Sequence, residues 1–92
     1  MSDSAIKKRQ ARAKRKAIEH FRDLGYKIIE SDNSAFCFIA TRRAEVRFVR
    51  VAVDRITERD VKLTQGYELP GGCSCEIFCQ KDARFEIREI RE

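Results

Sequence analysis

The sequence predicts one small α/β (α+β) domain built on a central mixed β-sheet, with the element order α-β-β-β-α-β-β. Three features carry that expectation. Good helix formers with apolar residues at three- and four-residue steps fill the first quarter of the chain. Runs rich in β-branched and aromatic residues follow, and a capped polar segment splits them into a group of three and a pair. The chain has 92 residues, of which 42% are hydrophobic and six are Phe. That is enough apolar surface for one core and too little chain for a second, so residues 1–92 are expected to form a single domain. Its parts would be a basic N-terminal helix over 1–24 and a sheet with one short helix over 26–92.

The first helix is expected from about Ser4 to Leu24. Ala13, Ala17, Ile18, Phe21 and Leu24 define one narrow apolar face, with Lys8, Arg12, Arg15, Lys16 and Arg22 mostly off it. Gly25 suits the left-handed residue that stops a helix. Tyr26–Glu30 then reads as a first strand and Ser31-Asp32-Asn33-Ser34 as a turn. The run Ala35–Ala40 is almost wholly apolar, the pattern of a strand buried on both faces, and Thr41–Glu45 reads as a polar turn. Val46–Val53 is a strand in which Arg47 and Arg50 have opposite parity and so belong on opposite faces. Thr57 with Asp60 three residues on resembles a capping box and opens a short helix over Glu58–Gln65. Leu69-Pro70-Gly71-Gly72 breaks the chain. Cys73–Cys79 and Phe85–Ile90 then make a final hairpin around Lys81-Asp82-Ala83.

Charge is abundant, at 38% of residues, and unevenly spread. Residues 1–22 hold eight Lys and Arg against Asp3 and Glu19, a balance of +6, whereas residues 23–92 hold twelve against thirteen. Basicity confined to one segment is the electrostatic footprint of a polyanion-binding surface, and a solvated helix face is the plainer alternative. Apolar stretches are far shorter than the ~20 residues of a membrane span, and the basic N-terminus leads into no apolar signal segment. A cytoplasmic protein with no membrane partner is expected.

Four cysteines in a reducing compartment are expected to be free thiols or metal ligands. Cys73, Cys75 and Cys79 share one strand face with Ile77, which reads first as a core stripe. A zinc site on those three, completed by Cys37 or His20, is the alternative. His20, the only histidine, lies on the first helix beside Glu19 and reads as a partly exposed helix residue rather than a catalytic base. No nucleotide-binding or nucleophile motif is present, and no cofactor is expected.

The succession Leu24-Gly25-Tyr26, Ile28-Ile29, a turn with Asn33, an apolar strand and Phe48-Val49-Arg50-Val51-Ala52 resembles the core of the restriction-endonuclease-like, or PD-(D/E)xK, nuclease superfamily, which includes Holliday-junction resolvases. The resemblance covers about residues 10–65 and implies a nuclease-like fold. In that family an Asp and the Glu of a Glu-x-Lys motif hold Mg²⁺, the Lys activates water, and a first-helix Glu often assists. The matching positions here are Cys37, Arg50 and Ala52, with Lys14 near the helix position. A hard dication needs oxygen ligands, so hydrolysis by the family mechanism is not expected. Losing the acids and gaining Arg50 and Lys14 would instead turn a cation site into a positive pocket suited to phosphate. The competing account is that Arg50 pairs with a nearby carboxylate such as Glu45 or Asp54.

Relocated acids would restore a metal site. Glu45 and Asp54 stand about 30 Å apart at opposite ends of a strand rising ~3.3 Å per residue, too far to share an ion. Asp32 approaching Glu45 remains as the route to a nuclease with displaced ligands. The leading expectation is a non-catalytic domain that binds nucleic acid, DNA first, through backbone phosphates. Lys8, Arg9, Arg12, Lys14, Arg15 and Lys16 would act from the helix, and Arg42, Arg43, Arg47 and Arg50 from the sheet. The alternative is a protein-interaction or regulatory subunit of a DNA-processing system, working as a homodimer or with a protein partner.

Overall fold

The computed structural model describes residues 3–31, 35–66, 71, 73–81 and 84–90. The expected turns at Asp32-Asn33-Ser34 and Asp82-Ala83, and most of the Leu69–Gly72 break, lie outside them. The first helix, α1, runs Asp3–Asp23. Its end is set by local chemistry. Gly25 takes a positive φ of 91°, its N–H donates to the Arg22 carbonyl at 2.9 Å, and the Tyr26 N–H donates to the Phe21 carbonyl at 3.0 Å. These are the two bonds of a Schellman stop, and the accompanying hydrophobic contact is also present, with the Tyr26 ring edge-on to Phe21 at 5.5 Å.

Five strands and a second helix follow: β1 Lys27–Glu30, β2 Phe38–Arg42, β3 Glu45–Val53, α2 Glu58–Gln65, β4 Cys73–Lys81 and β5 Arg84–Ile90. The result is a small compact α+β domain with one mixed five-stranded sheet, in which spatial order equals chain order. β1, β2 and β3 form an antiparallel meander, β3 and β4 are parallel, and β4 and β5 are antiparallel. Parallel neighbours cannot be joined by a tight turn, and the segment carrying α2 supplies the crossover. Among the described residues no helix is long and apolar enough to cross a membrane.

Register and the two-residue period of strands assign every side chain to a face. The pairs Ile28↔Ala40, Phe38↔Val49, Val49↔Glu76 and Phe78↔Ile87 put those residues on one face. α1 covers it: Ala17 and Phe21 pack with Tyr26, Phe38, Ala40, Val49 and Phe78. The pairs Phe48↔Cys75, Arg50↔Ile77 and Ala52↔Cys79 define the opposite face. There Ala52, Ile77 and Cys79 pack with Ile56 and Val61 at α2, and Ala35 and Phe36 pack with Cys75, Phe48 and Ile90.

The second strand is shifted from its expected place. Ala35 and Phe36 are buried but precede β2, with Phe36 edge-on to Phe48 at 5.3 Å. The ladder runs on instead through Thr41 and Arg42, so the expected turn Thr41–Glu45 shrinks to Arg43-Ala44, where Arg43 has a φ of 55°. An apolar run reports burial, and Ala35 and Phe36 meet that demand as a loop plug. Pairing of Arg42 with Glu45, which also form an ion pair, decides the hairpin. Nor is β2 equally buried on both faces: Phe38 and Ala40 are sealed under α1, while Ile39 opposite them is half-buried.

Candidate functional site

The apolar stripe of α1 fixes where its charges go. With Ala13, Ala17 and Phe21 turned to the sheet, Lys8, Arg12, Arg15 and Lys16 are exposed on the outer surface of the helix. Lys8, Arg12 and Lys16 follow at four-residue steps, about 6 Å apart along the axis, and Arg15 extends the same surface. Among the described residues these four have no ion-pair partner. Arg9 and Lys14 do have partners, on either flank. Arg9 bridges Asp54 at 2.5 Å, and Lys14 bridges Glu30 at 3.1 Å. Each flank also carries an open groove. One of about 720 Å³ lies between Lys14, Arg15, Arg22 and the β1 residues Ile28 and Glu30. One of about 240 Å³ lies between Arg9, Arg12, Lys16 and Asp54.

The sheet arginines are differently placed. Arg42 donates to the Leu24 carbonyl at 2.7 Å and to Glu45 at 3.3 Å, with its guanidinium 4.4 Å above the Tyr26 ring. Arg47 pairs with Glu76 and also reaches Glu45 at 3.3 Å. The Tyr26 hydroxyl completes the group by donating to Glu45 at 2.5 Å. Burial and then that bond push the Tyr26 pKa up. Hydrogen bonds from Tyr26 and then Arg42 hold the Glu45 carboxyl below the usual range. Burial works to lower the Arg47 pKa, and Glu76, Tyr26 and Glu45 together more than reverse it. Arg43 stands exposed at the hairpin turn.

Arg50 lies on the other face of the sheet. Its Nε donates to Asp60 at 2.8 Å and its Nη1 to the Ala35 carbonyl at 3.2 Å. The expected alternative of a structural salt bridge is therefore realised, with Asp60 as the carboxylate in place of the Glu45 or Asp54 named from sequence. Asp60 accepts 2.8 Å bonds from the Thr57 N–H and hydroxyl as well. Burial alone would raise its pKa, and the bonds from Thr57 and Arg50 outweigh that and lower it. Lys14 bridges Glu30 on the α1 face while Arg50 is clamped beneath α2, so the sheet separates them. The positive pocket expected from Lys14 and Arg50 together does not form. Ala52 is buried beside Ile77 and Cys79, and Cys37 is half-buried at the entry to β2.

No protein-family model, curated protein or solved structure gives a significant match to this chain.

The β4 cysteines sit in the core. Cys75 and Cys79 are buried on the α2 face, Cys73 is half-buried, and all are free thiols. Burial pushes the Cys75 thiol up to about 11 and raises that of Cys79 too, so both are poor thiolate ligands and nucleophiles at neutral pH. Among the described residues no group of three His, Cys, Asp or Glu is placed to hold a metal ion. Asp32, the acid considered for a displaced metal site with Glu45, lies outside the described residues.

Two groupings escaped the sequence reading. One is Tyr26, Glu45, Arg42, Arg47 and Glu76; the other is the double use of Asp60 as cap and counter-ion. The first had a signal: Glu76 is a lone acid in the otherwise apolar Cys75–Cys79 run, is only 3% exposed, and so demanded a cation. Arg47, on the same face by parity, is that cation.

Proposed function

We propose that this chain is a non-catalytic, restriction-endonuclease-like module that binds nucleic acid, DNA first, through backbone phosphates, with the outer face of α1 as the contact surface. The observation that carries the reading is the row Lys8, Arg12, Arg15 and Lys16, exposed and without carboxylate partners among the described residues. Like charges at four-residue spacing destabilise a helix by a few tenths of a kcal/mol per pair, and a polyanion removes that cost. Arg9 and Lys14 add to the surface, because their bridges to Asp54 and Glu30 are largely exposed and a phosphate can displace the carboxylate. Arg42, Arg47 and Arg50 contribute less, since each is anchored by acids of its own fold.

Two further points support a nuclease-like module without hydrolysis. The chain runs helix, three strands, helix and two strands, an order compatible with a nuclease-like core. The family's ligand positions hold Cys37, Arg50 and Ala52, which offer no oxygen to a hard cation.

The test is fluorescence anisotropy with duplex, branched and single-stranded DNA at two salt concentrations, with and without Mg²⁺, followed by a gel of the recovered DNA. Binding to four phosphates gives a log–log salt slope of about −3 to −4, and each Lys or Arg changed to Gln in the row lowers it by about one. The DNA should remain intact. Affinity indifferent to salt would overturn the reading, and Mg²⁺-dependent cutting would point to relocated acids. The alternative of a regulatory subunit draws on the exposed edge of β5, and a tight complex with a protein partner in the absence of DNA binding would favour it.

A further inference from the structure

Among the described residues β5 is the outermost strand of the sheet, with no described strand along its outer edge. It has seven residues, of which Arg84 to Glu89 are all exposed, whereas the opposite edge, β1, has four. α1 reaches it through His20, whose ring lies 4.8 Å from Phe85, yet Phe85 remains 51% and Ile87 37% exposed. Long exposed edges of this kind recruit another strand unless charge or a bulge prevents it.

We propose that a second copy of this chain pairs with β5 in antiparallel fashion about a two-fold axis at Ile87, joining two five-stranded sheets into one continuous sheet. The argument is register. A symmetric antiparallel pair has its axis through one residue, and directly opposed side chains lie on the same face. Centred on Glu86, the pair would oppose Arg84 to the partner's Arg88 and Glu86 to itself. Centred on Arg88, it would oppose Arg88 to itself. Centred on Ile87, Glu86 faces the partner's Arg88 and Arg88 faces the partner's Glu86, while Ile87 meets its own copy. Glu86 and Arg88 already lie 3.3 Å apart on an exposed surface, so each would gain a second opposite charge. The axis is perpendicular to the sheet and places both α1 helices on the same side. This goes beyond phosphate binding, and its test does not depend on nucleic acid.

Sedimentation velocity of the full chain, from low-micromolar to near-millimolar concentration, should show a monomer–dimer equilibrium. Glu86→Arg and Arg88→Glu each put like charges opposite one another and should weaken the dimer at least about tenfold. The double variant E86R/R88E restores the complementarity and should recover it. Ile87→Lys, which brings two ammonium groups together at the axis, should leave a monomer whose circular dichroism matches the wild type. A wild-type chain that stays monomeric throughout, single variants that dimerise as tightly as wild type, or a double variant no tighter than the singles would each overturn the proposal.

Discussion

Under α1 the sheet is closed by rings: Phe21 lies edge-on to Tyr26 and Phe38 at 5.5 and 5.8 Å, and Phe78 completes the layer. Under α2 it is closed by Ala52, Ile77, Cys75 and Cys79 with an ion pair, Arg50–Asp60, in which the two side chains are only 18% and 12% exposed. The difference follows from the helices. α1 has 21 residues and turns Ala13, Ala17 and Phe21 to the sheet, so it seals a hydrophobic layer. α2 has eight residues, too few to hold themselves helical or to bury much surface. It is fixed instead by polar chemistry at its first turn, where Asp60 serves both as the far half of the capping box and as the counter-ion of Arg50. One short side chain thus ties the start of the helix to the centre of the sheet.

That contrast can be tested from its strongest element downward. Phe38→Ala removes a fully buried ring from the centre of the α1 layer. It should cost about 3–5 kcal/mol in urea unfolding. A loss no larger than that of a surface substitution would mean the ring layer is not the core.

Asp60→Asn removes the charge with which the half-buried Arg50 pairs and should cost about 2 kcal/mol at pH 7. The pH dependence has a definite sign. Because the folded pKa of Asp60 is lowered, its contribution is complete above the unfolded value of ~3.9 and is lost as pH falls from there through the folded pKa. The gap between wild type and variant should therefore narrow in acid. A gap constant from neutral to acid pH would show that the carboxylate's charge is not what anchors α2.

Smallest is the effect of Arg15→Gln on the outer face of α1. There is no partner among the described residues to lose, and thermal unfolding should stay within ±0.5 kcal/mol of wild type. A larger loss would place Arg15 in the fold and weaken its assignment to phosphate contact.

What was legible in the sequence was local. Gly25 after a helical stripe, and Thr57 three residues before Asp60, fixed the end of α1 and the start of α2, because capping bonds span only a few residues. β3 and β4 were legible from composition, and the opposite facing of Arg47 and Arg50 from parity alone. β2 was displaced because Ala35 and Phe36 are as apolar as strand residues, and only the pairing of Arg42 with Glu45 shows which residues join the ladder. In the candidate site, the α1 cations were legible because the apolar stripe dictates which residues face out. The fates of Lys14 and Arg50 were not, since they depend on which sheet face each element covers.

By itself, then, the sequence determined the elements, their order and the concentration of positive charge on the first helix, all consequences of spacing and intrinsic preference. Only the tertiary structure decided the pairing of charges: Arg9 with Asp54, Arg47 with Glu76, and Arg50 with Asp60. These partners are 45, 29 and 10 residues apart in the chain. Electrostatic attraction acts on distance in space, and that distance exists only once the hydrophobic layers have set the register of the sheet and the face each helix covers.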